Sequence, residues 1–161
     1  MKKTHAFVPA LAIVLLGAGC SVPVPGPANT QGIYAPASAT RLDLSGQGLE
    51  RVPASVFDRI RLVELDLSDN RLTGALPGEI RHLRNLRVLD AGGNAMTGVP
   101  AEIGQLSLLE TLVLSDNELT GLPMELGNLP NLRLLDLRGN DVSRPDLEAI
   151  RARLKDTEIL E

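Results

Sequence analysis

The motif Leu-x-Leu returns along this chain at a nearly constant interval, each time followed by the same kind of polar text. Leu42-Asp43-Leu44-Ser45-Gly46-Gln47-Gly48-Leu49 is answered by Leu65-Asp66-Leu67-Ser68-Asp69-Asn70-Arg71-Leu72. Then follow Leu89-Asp90-Ala91-Gly92-Gly93-Asn94-Ala95-Met96, Leu112-Val113-Leu114-Ser115-Asp116-Asn117-Glu118-Leu119 and Leu135-Asp136-Leu137-Arg138-Gly139-Asn140-Asp141-Val142. The steps between copies are 23, 24, 23 and 23 residues. Five copies in register define an internal repeat, the signature of coils that stack into a solenoid. Successive residues of a strand point to opposite faces, so both leucines of each Leu-x-Leu face inward and the residue between them faces out. The chain turns at the polar stretch, and the next apolar residue re-enters the core.

The second half of each repeat has a different rhythm. It reads Val52-Pro53, Leu76-Pro77-Gly78-Glu79-Ile80, Val99-Pro100-Ala101-Glu102-Ile103 and Leu122-Pro123-Met124-Glu125-Leu126. Apolar pairs follow at Leu83 and Leu86, Leu106 and Leu109, and Leu129 and Leu132. A rigid Pro without a sustained 3.6-residue period predicts extended or 3₁₀ turns rather than α-helix. The first repeat is irregular at Val56, Phe57, Ile60 and Leu62, where Phe57 is expected to fill volume.

This text resembles the leucine-rich repeat family, whose pattern is L-x-x-L-x-L-x-x-N-x-L, over about residues 39–160. The resemblance implies an α/β solenoid: a short arc of five repeats with a parallel concave β-sheet, an irregular or 3₁₀ convex side and a C-terminal capping helix. It also implies a structural ladder of amides at Gln47, Asn70, Asn94, Asn117 and Asn140, buried and bonded to the backbone of the turn. The 24-residue repeat, Leu72-Thr73-Gly74-Ala75-Leu76-Pro77, is similar to the plant-type subclass. Its extra Ala75 should bulge outward and leave the strand register intact. At the C-terminus, Leu147, Ile150 and Leu154 have helical spacing, which predicts an amphipathic helix over Pro145–Lys155. Ser143 is placed to cap it, and Asp146 and Glu148 favour its dipole. Thr157–Ile159 can add a last strand, and the whole end looks like the cap of other proteins of this family.

The N-terminus has a different composition. Met1-Lys2-Lys3 is basic, Ala6 to Leu16 is apolar apart from Pro9, and Gly17, Ala18 and Gly19 lead to Cys20. This is the layout of a secretory signal, and the apolar run is shorter than the ~20 residues of a membrane span. Leu16-Gly17-Ala18-Gly19-Cys20 resembles the lipobox of bacterial lipoproteins, with Gly17 standing where Leu is usual. That resemblance implies cleavage before Cys20 and a diacylglycerol on its thiol. Two or more acyl chains give stable attachment where one is marginal. Ser21 resembles the sorting signal for the outer membrane of a Gram-negative envelope. Residues 21–38, SVPVPGPANTQGIYAPAS, read as an extended tether, with Ile33 and Tyr34 as apolar exceptions placed to fold over the open end of the domain. The domains expected are therefore a lipoprotein signal peptide (1–19), lipidated Cys and tether (20–38), five repeats (39–144) and a cap (145–161).

Composition adds limits. The aromatic residues are Phe7, Tyr34 and Phe57, so the core must be aliphatic. Without Lys2 and Lys3 the chain has 14 basic and 20 acidic side chains, which argues against a nucleic-acid footprint. Cys20 is the sole cysteine, which excludes an intrachain disulfide and a cysteine metal cluster. His82 is the sole histidine beyond the leader and falls on an outer half-repeat, so no catalytic triad can be assembled around it. Gly92-Gly93 lacks the pattern and Lys of a phosphate loop.

Strand alternation picks out the outward-facing positions. One row is Arg41, Glu64, Val88, Thr111 and Leu134; the central row is Asp43, Asp66, Asp90, Val113 and Asp136. The third is Ser45, Ser68, Gly92, Ser115 and Arg138. Two readings of the aspartates compete. They are ordinary solvated text of the family, or an acidic stripe for a basic partner or cation. The solvated reading is the stronger; like charges on neighbouring strands repel, so aspartate in four of five places is only weak evidence of use. Val88, Val113 and Leu134 form a small apolar centre without the Trp and Tyr of strong interfaces. The sequence therefore points to a lipid-anchored binding module, monomeric, without cofactor or metal, whose partner is a protein or envelope component. A structural envelope protein acting by self-association or wall contact is the rival. A catalytic effector would need a further domain for which this chain has no room.

Overall fold

The computed structural model describes residues 39–161; the lipobox with Cys20, the tether, Ile33 and Tyr34 lie outside the described residues. Each Leu-x-Leu is centred on a three-residue strand: β1 (Arg41–Asp43), β2 (Glu64–Asp66), β4 (Val88–Asp90), β6 (Thr111–Val113) and β7 (Leu134–Asp136). Two shorter strands, β3 (Thr73–Gly74) and β5 (Ala95–Met96), fall between them, and β8 (Glu158–Leu160) comes last. The sheet is parallel throughout, in the order β1-β2-β4-β6-β7-β8. Leu42, Leu65, Leu89, Leu112 and Leu135 stand in one buried row, paired strand to strand.

The 24-residue repeat keeps this register, with Leu65 opposite Leu89. The extra length is taken up beyond the sheet, where Ala75 is exposed. Thr73-Gly74 pairs in parallel with Ala95-Met96 to make a second, two-stranded sheet, which the Leu-x-Leu pattern does not foretell. Its ladder continues through Thr97 N–H to the Gly74 carbonyl at 2.9 Å.

On the convex side four 3₁₀ turns, Ala54–Val56, Gly78–His82, Ala101–Gln105 and Met124–Asn128, each start directly after a proline. The carbonyls of Pro53, Pro77, Pro100 and Pro123 accept the N–H three residues on, from Val56, Ile80, Ile103 and Leu126. Pro suits this place because its fixed φ fits the turn and its missing N–H falls ahead of the first bonded donor. The same four donors carry the side chains that the turn buries. Between sheet and turns lies one continuous aliphatic core from Leu42 to Leu154, with Phe57 filling the irregular first repeat.

The cap differs in detail from expectation. Its helix, α1, spans Arg144–Arg151, shorter than the expected Pro145–Lys155, and Ser143 occupies the N-cap position without a side-chain hydrogen bond. After Ala152 the chain leaves the helix, so that Leu154 still reaches the core and Thr157 Oγ1 donates to the Leu132 carbonyl at 2.6 Å. That bond sets β8 beside β7 one residue later than expected, with Ile159 opposite Leu135.

Candidate functional site

The turns that close each strand are built by amides reaching back one repeat. Asn70 Nδ2 donates to the carbonyls of Leu44, Leu67 and Ser68, while its Oδ1 accepts from the N–H groups of Gln47 and Leu49, all between 2.8 and 3.0 Å. Asn94, Asn117 and Asn140 repeat the arrangement, accepting from Leu72, Met96 and Leu119 respectively. Asn70 and Asn117 are buried, and Asn94 and Asn140 half-buried. Gln47 does not continue the series. It is half-buried, it supplies its backbone N–H to Asn70, and the described residues contain no earlier repeat for its side chain to bond.

One position before each of these amides the backbone is left-handed. Gly46, Asp69, Gly93, Asp116 and Gly139 have φ between 54° and 72°. Gly accepts this without strain, and Asp is among the few other residues that tolerate it. The Asp69 and Asp116 side chains lean over the glycines that follow: a Cβ on Gly93 would lie 2.6 Å from Asp69 Oδ1, and one on Gly139 would lie 3.2 Å from Asp116 Cα.

The strand aspartates are not simply solvated. Asp43 Oδ1 and Asp66 Oδ1 each accept from the N–H and the hydroxyl of the serine two residues on, Ser45 and Ser68. Asp90 Oδ1 accepts from Gly92 N–H at 2.9 Å. Asp136 Oδ1 accepts from the N–H and Nε of Arg138, whose Nη2 also bonds Oδ2 at 2.6 Å. Aspartate bonding the backbone two residues on is a known turn device. Each carboxylate thus commits an oxygen to its own turn. For Asp43 and Asp66 the spacing Asp-x-Ser was the signal for it in the sequence; Asp90 and Asp136 are followed instead by Gly92 and Arg138.

Arg41, Glu64, Val88, Thr111 and Leu134 line up in one row, and Asp43, Asp66, Asp90, Val113 and Asp136 in another. Their environments differ strongly. Asp43 is exposed at the N-terminal edge, beside the exposed ion pair of Arg41 with Glu64 at 3.2 Å. Asp136, counted among the outward acids, is only 4% exposed, lying beneath its pair with Arg138. Acidity at the C-terminal end of the stripe is therefore neutralised within the chain. Asp66 and Asp90 remain, half-buried, next to half-buried Val88, Val113 and Leu134.

The carboxylates respond accordingly. Hydrogen bonds from Ser45 hold the Asp43 carboxyl below its ordinary range, and Arg138 does the same for Asp136. Asp90 is pushed up, first by burial and then by the negative charges of Asp66, Asp69 and Asp136, against the opposing bond from Gly92 N–H. A carboxylate with a raised folded-state value makes the ionised protein less stable. The penalty is complete above that raised value and fades as pH falls through it. Asp90→Asn keeps the acceptor for Gly92, so it should raise thermal stability at neutral pH. The gain over wild type should shrink toward zero as pH falls through the carboxylate range. Melting curves across pH check this, and a loss of stability at neutral pH would show the charge to be supported.

His82 is exposed at the end of the second 3₁₀ turn. Among the described residues no group of three or more His, Cys, Asp or Glu side chains is placed to hold a metal ion. The arrangement offers a face with an apolar centre at Val88, Val113 and Leu134 and an acidic flank at Asp66 and Asp90.

Known proteins place this arrangement. The family model described as leucine rich repeat matches residues 37–96 and 93–142. The protein belongs to the leucine-rich repeat family, whose fold serves mainly in binding. Over 50 residues it is 50% identical to the CCR4-Not complex 3'-5'-exoribonuclease subunit Ccr4 of Neurospora crassa, a stretch covering 31% of this chain and 6% of that protein. A leucine-rich repeat protein of Leptospira interrogans superposes with a TM-score of 0.64 at 42% identity, over 67% of this chain and 27% of the other. A chain of the BIR3–SERK2 complex from Arabidopsis thaliana does so with 0.58 at 40% identity, over 63% and 56%. The chain thus spans a small part of the exoribonuclease subunit and about a quarter of the Leptospira protein, and what it shares with them is repeat text.

Proposed function

We propose that this chain is a membrane-anchored leucine-rich repeat lipoprotein that binds a protein or envelope component through its concave face. It acts by binding, not catalysis. The observation that carries the reading is the uncovered centre of the sheet, where Val88, Val113 and Leu134 lie half-buried beside Asp66 and Asp90. Val113 stands where every other repeat has Asp, which turns an acidic row into an apolar contact at one point. The Arabidopsis neighbour was solved as a complex, which supports a protein partner. Anchoring is inferred from Cys20 and the small residues before it, and Ser21 favours the outer membrane of a bacterial envelope.

Crosslinking in cells followed by capture of the full chain tests the binding. One partner should be recovered. Val113→Arg should reduce its recovery about tenfold, the loss typical of a central contact. Asp66→Asn with Asp90→Asn, which removes charge but spares the turns, should weaken a basic partner only. Recovery unchanged by Val113→Arg would refute the concave site. Recovery of the chain's own copies alone would favour the rival reading, a structural envelope protein working by self-association. Separately, Cys20→Ala should move the protein out of the membrane fraction; retention there would refute the lipid anchor.

A further inference from the structure

The residues just ahead of each strand stack into one lateral edge of the solenoid. Their backbones run in series: Val63 N–H donates to the Thr40 carbonyl, Arg87 to Val63, Glu110 to Arg87 and Arg133 to Glu110. One turn earlier, Asn85 Nδ2 donates to the Ile60 carbonyl at 2.8 Å, which sets Arg84 and Asn85 against Ile60 and Arg61. Along residues 59–63, 82–87, 106–110 and 129–133 the charges are Arg59, Arg61, Arg84, Arg87 and Arg133 against Glu110 alone, and Glu110 is paired with Arg87; the series ends on the cap, where Glu158 N–H donates to the Arg133 carbonyl and Lys155 stands with Asp156 and Glu158. Asp58 stands at the border. The edge at the other end of the strands is acidic on balance, with Asp69, Asp116, Glu118 and Asp141 against Arg71.

This basic edge is also where apolar side chains meet solvent. Ile60 is 60% exposed and Leu108 36%; Met124, the third large apolar side chain exposed among the described residues, lies apart from this edge at the start of the fourth 3₁₀ turn. Aliphatic tips beside arginines are the composition of a surface that lies on a lipid interface. Arginines near an anionic leaflet are attracted individually and additively. A nucleic acid would want aromatic side chains for stacking, and the edge has none.

The chain itself points the same way. It enters the fold at Ala39 and Thr40, and Thr40 is the first residue of this edge. Residues 21–38 would span at most about 55 Å if fully extended as polyproline II. The tether joins the fold at this edge; its reach exceeds the width of the three-residue strands, so it lets this edge meet the anchored surface without excluding the acidic one.

We propose that the edge carrying Ile60, Arg61, Arg84 and Leu108 docks on an anionic lipid surface, so that the concave face stands beside the membrane and the acidic edge points away. The proposal rests in part on the anchor reading above, and its test is made independent of it. In the full chain with Cys20→Ala, a polarity-sensitive fluorophore is attached through Ile60→Cys or, on the acidic edge, through Glu118→Cys. Each protein is titrated with vesicles of phosphatidylglycerol and phosphatidylcholine, and with phosphatidylcholine alone.

The label at position 60 should report an apolar environment on the anionic vesicles only, and lose it in high salt. The label at 118 should stay aqueous on both. Arg61→Glu with Arg84→Glu should shift the titration at position 60 by about tenfold or more, at roughly a factor of five for each arginine near the surface. A label at 60 that stays aqueous on anionic vesicles would overturn the proposal, as would an equal response on phosphatidylcholine alone or a response at 118. A concentration-dependent response at 60 without vesicles would assign the edge to a second copy of the chain instead. None of these outcomes bears on lipidation, which the Cys20→Ala fractionation decides.

Discussion

Replacing Asn117 by Ala should lower the free energy of unfolding by about 3–5 kcal/mol, a large part of what holds a domain of this size together. The side chain is buried; its Nδ2 donates to the carbonyls of Ala91, Leu114 and Ser115, and its Oδ1 accepts from Met96 N–H. Alanine leaves that donor and those acceptors without partners in a place closed to water. Each such orphan costs about 1–3 kcal/mol, partly relieved where a carbonyl has a second donor. Two repeats are affected, since the amide bonds its own turn and the one before. Gln47→Ala is the matched control. It sits in the equivalent place of the first repeat but contributes only its backbone, so the loss should stay under about 1 kcal/mol. Urea unfolding of both variants measures the difference. Equal losses would mean that the amides are not what ties neighbouring repeats together.

The second large effect is expected at Gly104, which the repeat pattern does not single out. A Cβ there would fall on the Glu125 carbonyl oxygen, with the carbonyl carbon at 2.8 Å. The obstacle is the backbone of the next 3₁₀ turn, which cannot swing aside as a side chain can. Gly104→Ala should therefore push two coils apart and cost about 2–3 kcal/mol, as overpacking of a filled site does. Gly127 occupies the same place one repeat later, but a Cβ there meets Arg153 Cδ at 2.6 Å. The contacts run down the exposed Arg153 side chain to its Cβ at 3.1 Å, but no backbone carbonyl stands in the way, and Gly127→Ala should cost about 1 kcal/mol, less than Gly104→Ala. Thermal unfolding of the pair checks the order, and an equal cost would place the strain in the turn itself.

Much of the architecture was legible because it is periodic. Two inward leucines every 23 or 24 residues define strand, register and stacking together, and the proline at the start of each outer half marks the 3₁₀ turn. The extra Ala75 could be assigned to the outer side because any other place would have thrown Leu89 out of line with Leu65. What was not legible depends on neighbours rather than on spacing. Pairing of Thr73-Gly74 with Ala95-Met96 arises from how adjacent coils settle, and four residues leave no period to read. Asp136 reads like Asp66 along the chain, yet one is covered by Arg138 and the other is not. The helix of the cap ends at Arg151 because Leu154 must turn into the core and Thr157 must reach Leu132, contacts that helical spacing alone does not reveal.

The left-handed turn residues give the array a grammar. Along the solenoid they read Gly46, Asp69, Gly93, Asp116, Gly139, and each aspartate hangs over the glycine of the next coil. A coil with Asp at this place crowds a Cβ in the next coil through its carboxylate, which must turn aside to admit one, whereas a coil with Gly leaves that place open. Copying the Asp69 coil onto itself would set a side chain into the space its twin already fills. Copying the Gly93 coil would not. The array is thus lengthened with less rearrangement by its glycine coils than by its aspartate coils, and a designer extending it would copy the former.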